Sequence, residues 1–173
     1  MRKTTFFIGL AVAALITAAP GAWAGDEAAG KIDPKTAFEK LKTLAGEWTG
    51  TADENMPGGV IYRVTGNGSV VMETMFPGTN HEMINMYHMV DGELVATHYC
   101  SSGNQPHFKF DAAKSTPTEL VFAFNGGTNL DPAKDSYVRG AKISIGDGKL
   151  VEDWTFYGGG KETGTATFKL GRK

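Results

Sequence analysis

From Gly46 onward, short strand-like segments alternate with tight turns, and this pattern restricts the possible folds more than any other feature of the chain. The turns at residues 66–68 (Gly-Asn-Gly) and 91–92 (Asp-Gly) use residue types that tolerate the positive φ angles of short hairpin loops. Most of the 23 glycines lie in such connections. The pattern predicts ten strands, with no helix between them: residues 47–52, 60–65, 69–76, 81–90, 93–101, 107–111, 119–124, 136–145, 149–157 and 162–170.

Sequential hairpins of this kind must protect the edges of the sheet that they form. Closing the sheet into an up-and-down barrel removes both edges. We therefore predict an all-β fold, a roughly ten-stranded antiparallel barrel, with a β-sandwich as the alternative. A barrel of this size holds either side chains alone or one small ligand. The two longest connections, residues 53–59 and 125–135, are predicted to lie as loops at the barrel rims.

One helix is predicted before the first strand. Asp33 is a favourable N-cap, and Pro34 suits the first helical position. Apolar residues then recur at helical spacing as far as Ala45, and Gly46 ends the pattern. The helix is predicted over residues 34–44, with one apolar face packed against the barrel.

The first 24 residues have the pattern of a secretory signal peptide. A short basic start precedes an apolar run over residues 6–19, and Ala22-Trp23-Ala24 matches a small-x-small cleavage site. Cleavage after Ala24 leaves a flexible segment at residues 25–33 and a barrel domain at residues 34–173. The apolar run is too short for a membrane span. The sequence thus predicts a periplasmic or secreted protein.

The charge balance argues against polyanionic partners. The chain has 17 basic and 19 acidic residues, and the predicted cleavage removes two of the basic ones, Arg2 and Lys3. Nucleic-acid binding requires clusters of basic residues that neutralise phosphates, and none is present. No block of lysine and arginine indicates an anionic membrane surface either.

Several motifs carry a family resemblance. They are Gly46-Glu47-Trp48 after the helix, and the stretches at residues 68–73, 87–94 and 97–106. Together they resemble the bacterial family of unknown function labelled DUF1579, a lipocalin-like group. The resemblance implies a calycin-type barrel and no particular activity. It also implies a structural pairing in which Arg172 lies over Trp48 as a cation–π partner.

Haem is not expected. Nitrobindin-like haem barrels are a neighbouring group, and they carry a Tyr-Pro-Thr-Ile-like stretch after the first strand. This chain lacks that stretch, and it has no histidine after His107.

Ligand-capable side chains concentrate in residues 98–107, which contain two of the four histidines and the only cysteine. A two-residue loop at 91–92 pairs Val90 with Glu93 and fixes which side chains share a face. The face predicted to point inward consists of Met83, Asn85, Tyr87, Met89, Leu94, Ala96, His98 and Cys100. Glu73, on another strand, is predicted to face solvent, with an inward-pointing lone carboxylate as the alternative.

This face suggests a binding site for a small apolar or amphipathic ligand. His98, Cys100, Asn104 and Gln105 are predicted to supply polar contacts, and the lining is completed by Asn85, Tyr87 and Trp154.

Other interpretations of the same residues stay open. His98 and Cys100, with His107, have the ligand types of a zinc or copper site. A Cys100–His98 nucleophilic pair, oriented by Asn85 or Asn104, is the enzymatic alternative. A third alternative is a structural envelope protein with a filled barrel, in which Cys100 is a buried, inert thiol.

Overall fold

A computed structural model describes residues 30–53 and 56–173. It shows one short helix followed by a closed barrel of ten antiparallel strands. The predicted barrel is therefore confirmed, and the sandwich alternative is wrong. The predicted signal peptide and most of the predicted flexible segment lie outside the described residues. Within the described part of the chain, no helix is long and apolar enough to cross a membrane.

The barrel follows a simple meander. Each strand pairs with the next one in the chain, and the first pairs with the last. The helix α1 is Pro34–Lys42. The strands are β1 Gly46–Ala52, β2 Met56–Thr65, β3 Val70–Met75, β4 Met83–Val90, β5 Glu93–Tyr99, β6 Gln105–Phe110, β7 Glu119–Thr128, β8 Ser136–Gly146, β9 Lys149–Gly158 and β10 Lys161–Arg172.

The β4–β5 hairpin has the predicted geometry. Asp91 and Gly92 adopt φ angles of +49° and +85°, as a two-residue type I′ turn requires. Val90 pairs with Glu93, and the register continues to the pair Asn85–His98. The inward face deduced from the sequence is therefore confirmed along this hairpin.

Both predicted rim loops are partly strand. β2 begins at Met56 and β7 extends to Thr128, although both stretches contain glycines, which are weak strand formers. Close packing explains the glycines in β2, because a Cβ at Gly58 would lie 2.6 Å from the backbone nitrogen of Ala52. The predicted loop boundaries were wrong here because a weak intrinsic preference yielded to close strand pairing.

The helix α1 lies at the end of the barrel where β1 begins. The Asp33 carboxylate accepts hydrogen bonds from the backbone nitrogens of Lys35 and Thr36, which confirms the predicted cap. The buried side chains of α1 are Ala37, Phe38 and Leu41. They face the barrel, and the helix contacts β2, β4 and β5. The helix ends two residues earlier than predicted.

The barrel closes between β1 and β10, where Trp48 pairs with Arg172. The Arg172 guanidinium lies 4.5 Å from the centre of the Trp48 ring, as the resemblance implied. It also donates hydrogen bonds to the carbonyl oxygens of Thr43 and Ala45. Trp48 Nε1 donates to the Leu44 carbonyl at 2.8 Å. Arg172 thus joins the helix end, the first strand and the last strand.

Replacing Arg172 is expected to weaken this junction. Arg172→Ala removes the cation–π contact and two hydrogen bonds, and it should lower the free energy of unfolding by about 1 to 2 kcal/mol. Arg172→Lys should lose less, since it keeps the charge but not the planar fork. Urea unfolding monitored by tryptophan fluorescence measures both. Lys169→Ala, on the exposed side of the same strand, is the control and should change little.

Candidate functional site

The alternation of the strands brings an unusual set of polar side chains into the barrel. Glu73 and Glu152 are fully buried, and His98 is 1% exposed. Asn85 and the phenol groups of Tyr62 and Tyr87 are buried beside them. Buried polar groups are costly unless they bond to one another, so their arrangement defines what the interior can do.

The two carboxyl groups are held by aromatic donors. Tyr87 donates its hydroxyl hydrogen to Glu73 Oε2 at 2.7 Å. Tyr62 donates to Glu152 Oε1 at 2.8 Å, and Trp154 Nε1 donates to Glu152 Oε2 at 3.2 Å. Both oxygens of Glu152 are therefore acceptors, whereas Glu73 Oε1 has no hydrogen-bond partner in the described part of the chain.

One of the two buried carboxyl groups keeps its proton. Burial raises the pKa of Glu73 well above its usual value, and the nearby charge of Glu152 raises it further. Burial also raises the pKa of Glu152, but a hydrogen bond with Glu73 opposes that effect, as do the hydrogen bonds from Tyr62 and Trp154. Glu152 is therefore the more readily ionised of the two. Glu73 keeps its proton, and Oε1, which accepts no hydrogen bond from a described residue, is the oxygen that can donate it to Glu152.

Asn85 connects Glu73 to His98. Its Nδ2 donates to Glu73 Oε2 at 3.1 Å, and its Oδ1 lies 2.8 Å from His98 Nδ1. Because Glu73 Oε2 already accepts from Tyr87, the amide must turn its nitrogen toward the carboxyl group. Its oxygen then faces the imidazole, so His98 Nδ1 carries the hydrogen.

His98 is consequently a neutral base with a free acceptor. Burial lowers the pKa of its ring to about 4. With the hydrogen on Nδ1, Nε2 has only a lone pair, and no partner for it exists among the described residues. The ring lies 5.6 Å from the Trp154 ring, centre to centre.

His98 lines a cavity of about 230 Å³ at the end of the barrel opposite α1. An apolar cavity of about 150 Å³ is enough for benzene. The half-exposed Met56 and the exposed Asp53 belong to the lining, so the cavity reaches the surface. The rest of the wall is apolar: Met75, Phe76, Met83, Val138, Trp154, Phe156, Ala166 and Phe168.

Four of the residues predicted for the site are brought together. His98 and Trp154 line the cavity, and Asn85 and Tyr87 lie behind His98 in its hydrogen-bond network. Cys100 lies beyond the end of β5 and is only partly buried, so its predicted burial is wrong. The inward alternation stops where the strand stops.

Asn104 and Gln105 do not contact the cavity. Asn104 is buried and donates to the Ser136 carbonyl at 2.9 Å. Gln105 Oε1 accepts hydrogen bonds from Thr128 and Asn129. Both amides connect neighbouring segments and neither lines this cavity, so direct ligand binding by them stays a prediction.

The three-ligand metal site does not assemble. His107 pairs with Thr97, a neighbour of His98 in sequence, so it lies on the opposite face of the sheet. Residues 30–53 and 56–173 contain no group of three His, Cys, Asp or Glu placed to hold a metal ion. The Cys100–His98 nucleophilic pair does not form either. His98 Nδ1 is hydrogen-bonded to Asn85, and His98 Nε2 has no hydrogen-bond partner among the described residues.

The sequence interpretation missed the carboxyl pair. Glu73 was predicted to face solvent, yet it is fully buried and pairs with Asn85 across β3 and β4. The signal was present, since Glu73 alternates with Val71 and Met75. Glu152 likewise alternates with Leu150 and Trp154, two residues that suit a barrel interior.

No protein-family model and no curated protein matches this chain. The lipocalin-like resemblance of its motifs therefore stays a prediction, and the function has to be argued from the site itself.

Proposed function

We propose that this protein binds a small, mainly apolar molecule in the cavity of its barrel. One observation carries the proposal: an apolar cavity has a single buried, unpartnered polar atom, His98 Nε2, in its wall. Small-molecule sites typically combine an apolar wall with a few placed polar groups. The volume suits a ligand with one aromatic ring or two.

The cost of the cavity supports this proposal over a filled barrel. Because the cavity reaches the surface, water can enter it, but an apolar wall left against water forgoes about 25 cal/mol per Å² of the apolar surface that a ligand could cover. Larger apolar side chains at Ala166 or Val138 would reduce the void without changing the strand pattern. Keeping the space open is understandable if a ligand fills it.

Export to the periplasm or the medium is part of the proposal. The predicted export rests on the signal-peptide pattern of residues 1–24. The predicted membership of a lipocalin-like family rests on the motifs around Trp48 and at residues 97–106. A soluble ligand carrier outside the cytoplasm is consistent with both predictions.

A simple apolar probe tests the cavity. We expect p-xylene to bind the purified protein with one-to-one stoichiometry in a calorimetric titration. Ala166→Phe projects a ring into the cavity and should weaken binding at least tenfold, equivalent to about 1.4 kcal/mol. Ala123→Phe, the same change on the exposed face of β7, should bind p-xylene as the parent protein does.

Two results would contradict the proposal. Absence of p-xylene binding to the parent protein would favour the filled-barrel alternative. Equal loss of binding in both phenylalanine variants would show that the probe does not occupy this cavity.

A further inference from the structure

We propose that the ligand is a neutral molecule that donates one hydrogen bond to His98 Nε2, as a phenol or an indole does. This inference rests on the proposed function and specifies its ligand class. It follows from three features of the site: the tautomer of His98, the charge at the cavity mouth and the apolar remainder of the wall.

The hydrogen bonding at Nδ1 fixes the tautomer of His98. Tyr87 and Asn85 both donate to Glu73 Oε2, which leaves the Asn85 oxygen facing His98 Nδ1. An imidazole that donates through Nδ1 presents a lone pair at Nε2. The cavity therefore offers an acceptor, and a ligand atom placed there must be a donor.

The cavity mouth disfavours anions. Asp53 lies at the rim, and its position is fixed by two hydrogen bonds with the backbone of Thr167: its nitrogen donates to the Thr167 oxygen at 2.8 Å, and its Oδ1 accepts from the Thr167 nitrogen at 3.0 Å. Among the residues that the structure describes, no lysine or arginine belongs to the cavity lining. A carboxylate ligand would meet the Asp53 charge and the lone pair of a neutral imidazole, and neither stabilises it.

The apolar wall limits the ligand to one such donor. Apart from His98 and Asp53, the lining consists of methionine, aromatic, valine and alanine side chains. A second polar group on the ligand would lose its hydration without gaining a partner. A flat molecule is favoured because Trp154 and Phe168 contribute ring surfaces to the wall.

A matched pair of probes isolates the hydrogen bond. p-Cresol and p-xylene have the same shape, and they differ in one hydroxyl in place of one methyl group. Their dissociation constants are measured at pH 7 on the parent protein and on His98→Asn. The asparagine amide can keep the donor toward Asn85, but it is too short to replace Nε2. Met86→Leu, a methionine change on the same strand outside the cavity lining, is the control.

We expect the preference for p-cresol over p-xylene to fall at least tenfold in His98→Asn and to stay unchanged in Met86→Leu. A fold-independent measurement accompanies this one, the ¹⁵N spectrum of the His98 ring in the parent protein. Nε2 should resonate as an unprotonated nitrogen and should shift with p-cresol but not with p-xylene.

The outcomes separate the two levels of the argument. Binding of p-xylene with an unchanged preference in His98→Asn overturns the donor inference and leaves the proposed function intact. A proton on Nε2 in the free protein also overturns the donor inference alone. Failure of both probes to bind the parent protein overturns the proposed function and the donor inference with it.

Discussion

Glu152→Gln is expected to lower the free energy of unfolding by about 3 kcal/mol at pH 7, whereas Glu73→Gln should raise it. Both oxygens of Glu152 accept hydrogen bonds, from Tyr62 and from Trp154. A glutamine there must turn its NH₂ group toward one of these donors. Two donors would then face each other in the centre of the barrel.

Glu73 tolerates the same change because only one of its oxygens is in use. A glutamine oxygen can accept from Tyr87 and Asn85, and its NH₂ group takes the place of Oε1, which lacks a partner in the described chain. The substitution also removes a titration that costs stability. Glutamine needs no proton to remain neutral.

The sign of the pH effect follows from the raised pKa of Glu73. Above 4.5, its ordinary pKa, the unfolded chain releases a proton that the folded chain keeps. Stability therefore falls as pH rises toward the folded pKa, on the order of 1 kcal/mol per pH unit. Relative to the parent protein, the free energy of unfolding of Glu73→Gln should rise by this amount per pH unit over the same range.

Urea unfolding at pH 5, 6, 7 and 8 measures both variants against the parent protein. Glu162→Gln, an exposed glutamate on β10, is the control and should show no comparable trend. Equal effects of the two buried substitutions would refute the assignment of the proton to Glu73.

Acid is expected to destabilise the barrel through His98. Burial lowers the pKa of its ring from an ordinary 6.5 to about 4. Between these values the unfolded chain binds a proton that the folded chain does not, so stability falls as pH falls from 6.5 to 4. The loss attributable to His98 is on the order of 3 kcal/mol.

His98→Asn isolates this contribution. The asparagine can still donate to Asn85, and it does not titrate. The neighbours of the ring, Asn85 and Trp154, do not ionise. The titration of Glu73 affects stability in the opposite direction, but it does so equally in the parent protein and in the variant. The difference between the two unfolding free energies should therefore shift by about 3 kcal/mol between pH 7 and pH 4.

The matched control is His88→Asn, on the outer face of β4, where the histidine is half-exposed. Its difference from the parent protein should stay nearly constant across the same range. A constant difference for His98→Asn as well would show that the His98 ring titrates normally and is not held neutral by burial.

The barrel could be predicted because short stretches of sequence determine its turns and the pairing of consecutive strands. The 91–92 turn fixes the β4–β5 register by itself, and that register correctly placed Asn85, Tyr87 and His98 inside. Strand ends were less predictable, since residues 56–59 and 125–128 become strand through pairing with neighbours, and their glycines do not indicate it.

The candidate site could be predicted only in part because it is assembled across the barrel. Glu73 and Glu152 lie on strands that do not pair with each other, so no turn relates them. A single glutamate on an alternating strand ordinarily faces water. Its burial becomes reasonable only when a second carboxyl group, two tyrosines and a tryptophan from other strands surround it.

The single seam between β1 and β10 has a consequence during synthesis. Nine of the ten strand pairings join consecutive strands, and each can form as soon as its second strand is made. The tenth must wait for β10, so a nascent chain with nine complete strands presents two open edges, β1 and β9. Open edges are templates for intermolecular pairing. A chain interrupted before β10 therefore has an aggregation-prone sheet where the complete one has a closed wall.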